Sequence, residues 1–208
     1  MKPDPLERWR LLINQLEIIP GDHGCNPLTT NEEHLLEFED RAGFVLPQGY
    51  KEYCQVISSG IFGPHWFRID KLDAPEVHLA STSNAKSTYE IYNGELPLEV
   101  KDLLDAGFRF GAGVEFYLLF FFDLRSYQEI DKSYDMYALC ERDIVYIYNL
   151  GRDFYSFIYD ICIGSRAEKD FPAMVFREED LDEDTRESRK EDMENEPLYR
   201  PFTFCPCF

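Results

Sequence analysis

Forty carboxylates and thirteen tyrosines dominate the side chains with which this chain could do chemistry. Two kinds are open to them: proton transfer within a paired set of acids, or recognition of a cationic partner by an acidic, aromatic surface. Acid/base work needs a buried pair with perturbed ionisation, and abundance does not supply one. The histidines, His23, His34, His65 and His78, fall at no metal-binding interval such as H-E-x-x-H or H-x-H. His34 reads as a boundary residue of a helix. His65 stands beside Trp66 and could line a groove, but a packed loop histidine explains it better. Of the six cysteines, Cys54, Cys140 and Cys162 sit in apolar stretches, where a reduced thiol packs as a small hydrophobe. Cys25, Cys205 and Cys207 complete the set, and no pair has C-x-x-C spacing. Cys205-Pro206-Cys207-Phe208 has the outline of a prenylation box but the wrong middle residues and no basic cluster before it. Cys205-x-Cys207 lacks further ligands nearby for a soft metal. Gly111-x-Gly113 precedes a strand and not a helix, so it reads as a turn and not as a phosphate loop. The expectation is no catalytic residue, no metal and no cofactor.

Recognition of a cation is the chemistry that remains. The formal net charge is −19. Residues 177–196 hold 11 acidic and 4 basic side chains, a net −7, which leaves −12 on the rest. Such a surface repels nucleic acid and favours a basic protein, although charge of this size also serves plain solubility. No apolar run approaches the roughly 20 residues of a membrane span, and the N-terminal segment lacks a signal peptide's apolar stretch. With reduced cysteines, this predicts a cytoplasmic protein.

The elements that must position these residues follow from periodicity. Leu6, Trp9, Ile13 and Leu16 predict a helix over about 5–17. Thr30-Asn31-Glu32-Glu33 reads as a capping box opening a second helix with Leu35, Phe38 and Ala42 on one face, stopped by Gly43. Leu46-Pro47 opens a third, with Tyr50, Tyr53, Cys54 and Ile57 inward and Gly60 as its end. Residues 61–69 read as extended and 70–95 as irregular. Pro97 to Ala106 is a short helix. Phe108–Phe110 and Glu115–Asp123 read as strands either side of the Gly111-Ala112-Gly113 turn. The unbroken apolar run Phe116–Phe122 predicts a central strand covered on both faces. Residues 134–140 and 144–149 read as a hairpin, and Asp153 caps a last helix carrying Phe154, Phe157, Ile158 and Ile161. Helices first, then strands in meander order, give an α+β fold with an antiparallel sheet and helices packed on it. One domain over 1–164 is expected, with 165–208 an acidic, partly disordered extension.

Leu35-Leu36-Glu37-Phe38-Glu39, then Leu46-Pro47-x-x-Tyr50-x-x-Tyr53 and Gly60, resemble the signature of the SUKH superfamily, which includes the Smi/Knr-type proteins. Gly111-Ala112-Gly113-Val114-Glu115, Phe121-Phe122-Asp123-Leu124-Arg125 and Asp153-Phe154-x-x-Phe157-Ile158 are similar to that family's later segments. The likeness spans about 30–163. Ser58-Ser59-Gly60 departs from the family's Asn-Gly-Gly turn, and Val114 interrupts its glycine run. The resemblance implies an antiparallel sheet with packed helices, and a bacterial immunity protein that neutralises a toxin, often a nuclease. Eukaryotic members look like regulatory or scaffolding domains.

The leading expectation is therefore a non-enzymatic module that blocks a basic toxin. A regulatory or scaffolding domain without a toxin partner is the alternative, and a small hydrolase is less favoured. Glu115, Asp123, Glu129, Asp131 and Asp135 flank the strands within about twenty residues and are the candidate partner-binding acids. Asp123 alone also fits a turn cap before Arg125. Tyr127 and Tyr134 join them as contact residues with a polar end, as would Tyr146 and Tyr148.

Overall fold

The computed structural model describes residues 4–18, 29–63, 66–72, 74–113, 118–140, 147–171 and 198–201. The chain enters through α1 (Glu7–Ile13) and a two-residue strand β1 (Glu17–Ile18), followed by α2 (Glu32–Ala42) and α3 (Gln48–Val56). The helix expected over 5–17 is shorter because the chain turns at Asn14 to enter β1. Asn31 caps α2, its Oδ1 accepting from the His34 N–H at 2.8 Å. Such a cap contributes about 1 kcal/mol. Gly43 ends α2 with φ +74°, the left-handed backbone that the stop requires. The third helix ends at Val56, earlier than Gly60, and the left-handed residue there is Ser58 (φ +69°). Gly60 instead begins β2 (Gly60–Phe62), which pairs antiparallel with β3 (Phe67–Ile69).

Residues 70–95 are not irregular. They contain α4 (Pro75–Asn93), which α5 (Leu98–Ala106) follows. Gly111-Ala112-Gly113 is not a turn either. It completes β4 (Gly107–Gly113), paired on one side with β3 and on the other with β5 (Leu118–Asp123). A Cβ at Gly111 would lie 2.4 Å from the Arg68 carbonyl oxygen, so glycine is needed there for close strand approach. β6 (Met136–Cys140) and β7 (Ile147–Gly151) form the expected hairpin. Strands β2 to β7 are thus a six-stranded antiparallel meander. A last strand, β8 (Leu198–Pro201), lies between β1 and β2, parallel to the first and antiparallel to the second. Beyond β7 the chain makes α6 (Phe154–Ser156), a π-helical stretch (Phe157–Ile163) and α7 (Arg166–Asp170), with Asp153 capping α6 through the Tyr155 N–H at 3.2 Å. Packed structure continues past residue 164: Ala167 and Phe171 are core residues. Residues 177–196, expected to be a solvated tail, lie outside the described residues, as do Tyr146 and His65. Among the described residues no helix is long and apolar enough to cross a membrane.

The side chains of β5 are buried throughout and alternate between two cores, as the sequence predicts for a central strand. Leu118, Phe120 and Phe122 join the larger core, beneath α1, α2, α3 and the π-helix, with Trp9, Tyr50 and Tyr53. Leu119 and Phe121 join a smaller one beneath α4 and α5, with Tyr89, Val100, Leu103 and Leu104. A bulge between Arg109 and Gly111 lets β4 serve both: Phe108 and Phe110 face the larger core, Ala112 the smaller.

Candidate partner-binding site

The candidate site is built where β5 ends. Asp123 closes the strand and starts a single 3₁₀ turn (Leu124–Ser126) by accepting from the Arg125 backbone N–H at 3.0 Å. The same carboxylate takes the Arg125 guanidinium in a fork, Nε at 2.8 Å and Nη2 at 2.8 Å. That guanidinium holds the Asp123 carboxyl below its ordinary range. Ser126 Oγ donates to the Asp123 carbonyl and accepts from the Asp135 N–H, both at 2.7 Å, which joins the two ends of the loop 124–135.

Arg152, just beyond β7, clamps that loop. Its Nη2 donates to the carbonyls of Ser133 (2.7 Å) and Ser126 (3.0 Å), its Nη1 to Asp135 (2.8 Å) and its Nε to Asp131 (3.3 Å). The little solvent Asp131 loses works to raise its carboxyl, but the bonds from Ser133 and Arg152 outweigh it and hold it low. On the other side the loop rests on α3. The Lys132 carbonyl accepts from the Gln48 N–H at 2.9 Å, where the residue before α3, Pro47, has no capping side chain. Lys132 reaches it with φ +49°. Tyr134 donates its hydroxyl to the Val45 carbonyl at 2.8 Å, and Tyr127 packs on it with ring centroids 5.0 Å apart. Burial pushes the Tyr134 hydroxyl up to about 12, and burial with the Glu129 charge raises Tyr127.

With its base fixed, the loop presents its tip. Glu129, Ile130 and Asp131 are exposed, Ile130 at 94% the most exposed large apolar side chain described. On the α5 side, the Asp123–Arg125 pair also lines a pocket of about 310 Å³ with Leu98, Glu99, Asp102, Leu103, Tyr137 and Ile147. A larger pocket of about 590 Å³, between α1 and α7, carries Arg166 and Lys169 against Asp160, the wrong sign for a basic partner.

The structure brings together six of the seven residues chosen from sequence; Glu115 lies outside the described residues. Their placements differ. Glu129 faces solvent. Asp123, Asp131 and Asp135 are engaged by arginines within the fold, Tyr127 is half-buried, and Tyr134 is 3% exposed, so its ring offers a partner little area. Tyr148 packs on Phe171 and not outward. Sequence reasoning missed Ile130, Arg152, Glu99 and Asp102. Ile130 had a signal, being the only apolar residue between Tyr127 and Tyr134. Arg152 had none, since its partners are up to 26 residues away.

Elsewhere, His78 is buried with Nδ1 3.2 Å from the Arg109 carbonyl oxygen, and His34 is a surface residue beside Glu37. Among the described residues no three His, Cys, Asp or Glu side chains converge on a metal-sized site. Comparison of the chain with protein-family models, with curated proteins and with solved structures gives no match.

Proposed function

We propose that this chain is a non-enzymatic binding module that captures a basic protein with the loop 124–135. One observation carries the reading: Ile130 stands in solvent between two acids on a loop whose base is fixed by Arg152, Gln48 and Val45. Scattered exposed apolar residues are ordinary. A rigid loop that holds one out differs, because little ordering entropy remains to be lost on docking. Burying Ile130 would contribute about 2 kcal/mol, and the surrounding charge would speed encounter with a basic partner. The SUKH-like order of motifs suggests an immunity protein whose partner is a toxin, acting in the cytoplasm.

The test is affinity capture from the native host with two baits, the wild-type chain and the double variant Glu129→Lys/Ile130→Ala, neither residue belonging to the packed core. The wild-type bait should retain a basic protein that the variant loses, and the on-rate of that purified pair should fall as salt rises. A partner held equally by both baits would remove the loop from the site. A toxin activity abolished in the complex separates the immunity role from a scaffolding one.

A further inference from the structure

The pocket between α5 and β7 has a shape and a charge that the loop does not explain. It is lined by Leu98, Leu103, Ile147 and Tyr137, and by Glu99, Asp102 and Asp123 with the single cation Arg125. The formal charge is thus −2. Leu98 is 71% exposed, a large apolar side chain left uncovered in a pocket wall. Arg125 shows how these acids take a guanidinium: Asp123 receives it in a two-bond fork with both contacts at 2.8 Å. Asp102 is not used in that way. Its closest approach to Arg125 is 3.8 Å, beyond hydrogen-bond length, and half of its side chain is in solvent.

We infer that this pocket receives an arginine side chain of the basic partner. The inference rests on the reading of this chain as a binder of a basic protein and names the group recognised. A planar guanidinium can bond Asp102 and Glu99 together while lying on the Tyr137 ring. The three apolar walls cover the aliphatic stem. A lysine ammonium brings the charge but neither the fork nor the flat face. About 310 Å³ is room for one such side chain and not for a folded element.

The experiment is a methyl-detected NMR titration of the full chain, following Leu98, Leu103 and Ile147. The probes are acetyl-Gly-Arg-Gly-amide and its lysine and citrulline counterparts; citrulline keeps the shape and lacks the charge. The arginine peptide should give saturable shifts at all three residues, the lysine peptide several-fold weaker ones and citrulline none. Asp102→Asn, on the solvent side of α5, should weaken arginine binding about tenfold, the scale of one lost charge-assisted contact. Equal responses to the three peptides, no response, or an unchanged titration in Asp102→Asn would each overturn the inference. The loop variant Glu129→Lys/Ile130→Ala should titrate like wild type. A failed titration beside a successful capture experiment therefore removes the arginine pocket alone, and the reverse pattern removes the loop reading alone.

Discussion

The two faces of the sheet are built to different depths. The face under α1, α2, α3 and the π-helix buries rings in mutual contact: Tyr50 lies 5.5 Å from Phe122 and 5.1 Å from Phe154, and Phe110 lies 4.2 Å from Phe122. The face under α4 and α5 is shallower, a smaller cluster of Leu, Val and Ala with only Phe121 and Tyr89 as buried rings. A deep aromatic layer cannot lose a ring without leaving a void, whereas a shallow layer beside solvent can settle. The shallow face has room for a pocket at its margin, and the deep face anchors the loop by way of α3. The deep aromatic packing and the pocket thus lie on opposite sides of one strand.

The strongest test of this contrast is Tyr50→Ala. Tyr50 is fully buried, and its loss should cost about 3–5 kcal/mol, seen as a lower denaturation midpoint in urea. Leu104→Ala, on the shallow face, should cost about 2 kcal/mol, the low end for a buried leucine. If Leu104→Ala costs as much as Tyr50→Ala, the two faces are equivalent and the contrast fails. Arg152→Ala comes next. It frees the two carbonyls and two carboxylates it holds, and because Arg152 is half-buried we expect about 1–2 kcal/mol together with faster amide exchange confined to 126–135. Exchange that quickens across the whole sheet would mean the clamp serves the core and not the loop.

A smaller effect is read from pH. Asp123 is held below its ordinary range in the folded state, so the unfolded chain binds its proton first on acidification. Its stabilising contribution is present above about pH 4 and is lost as the pH falls through the lowered folded value. Asp123→Asn should flatten the acid limb of the stability curve there and leave the neutral-to-alkaline limb parallel to wild type. The smallest effect is on reactivity. Burial pushes the Cys54 thiol up to about 12, against a weaker opposing bond from Tyr50, and raises Cys162 as well. At pH 8 both should react with a thiol reagent only as fast as the protein opens, so that Tyr50→Ala accelerates labelling and Leu104→Ala does so less.

How much of this could be read in the sequence depended on how local the physics was. The start of α2, the stop at Gly43, the inward set Tyr50, Tyr53, Cys54 and Ile57, and the two-sided burial of Phe120 to Phe122 each involve neighbours in the chain, and each was legible, although the capping side chain is Asn31 and not the Thr30 of the expected capping box. Helix α4 was not. Its described inward residues include His78, Thr82, Ala85 and Tyr89, too polar and small to give an apolar stripe, and its partners are strands met only after folding. The glycines of β4 misled because glycine marks both turns and close strand approach, and only the Arg68 carbonyl across the sheet decides between them. At the site, the acidic residues were legible as a cluster. Which of them stay available was legible only for Asp123, which caps the turn before Arg125 as its place in the chain suggests; for Asp131 and Asp135 it is settled by Arg152, distant in the chain.

The pairing of β1 with β8 has a consequence for the order of folding. Glu17 faces Leu198 across that pairing, a separation of 181 positions. Closing so long a loop is entropically costly until other contacts have drawn the ends together. The meander β2 to β7 links neighbours in the chain and can assemble without it. The outer edge of β2 then waits for β8 to arrive, and during that interval an unpaired strand edge is open to other chains. In pulsed hydrogen exchange the amides of 118–123 should be protected early and those of 198–201 last. Refolding yield should fall with protein concentration in proportion to the delay between the two.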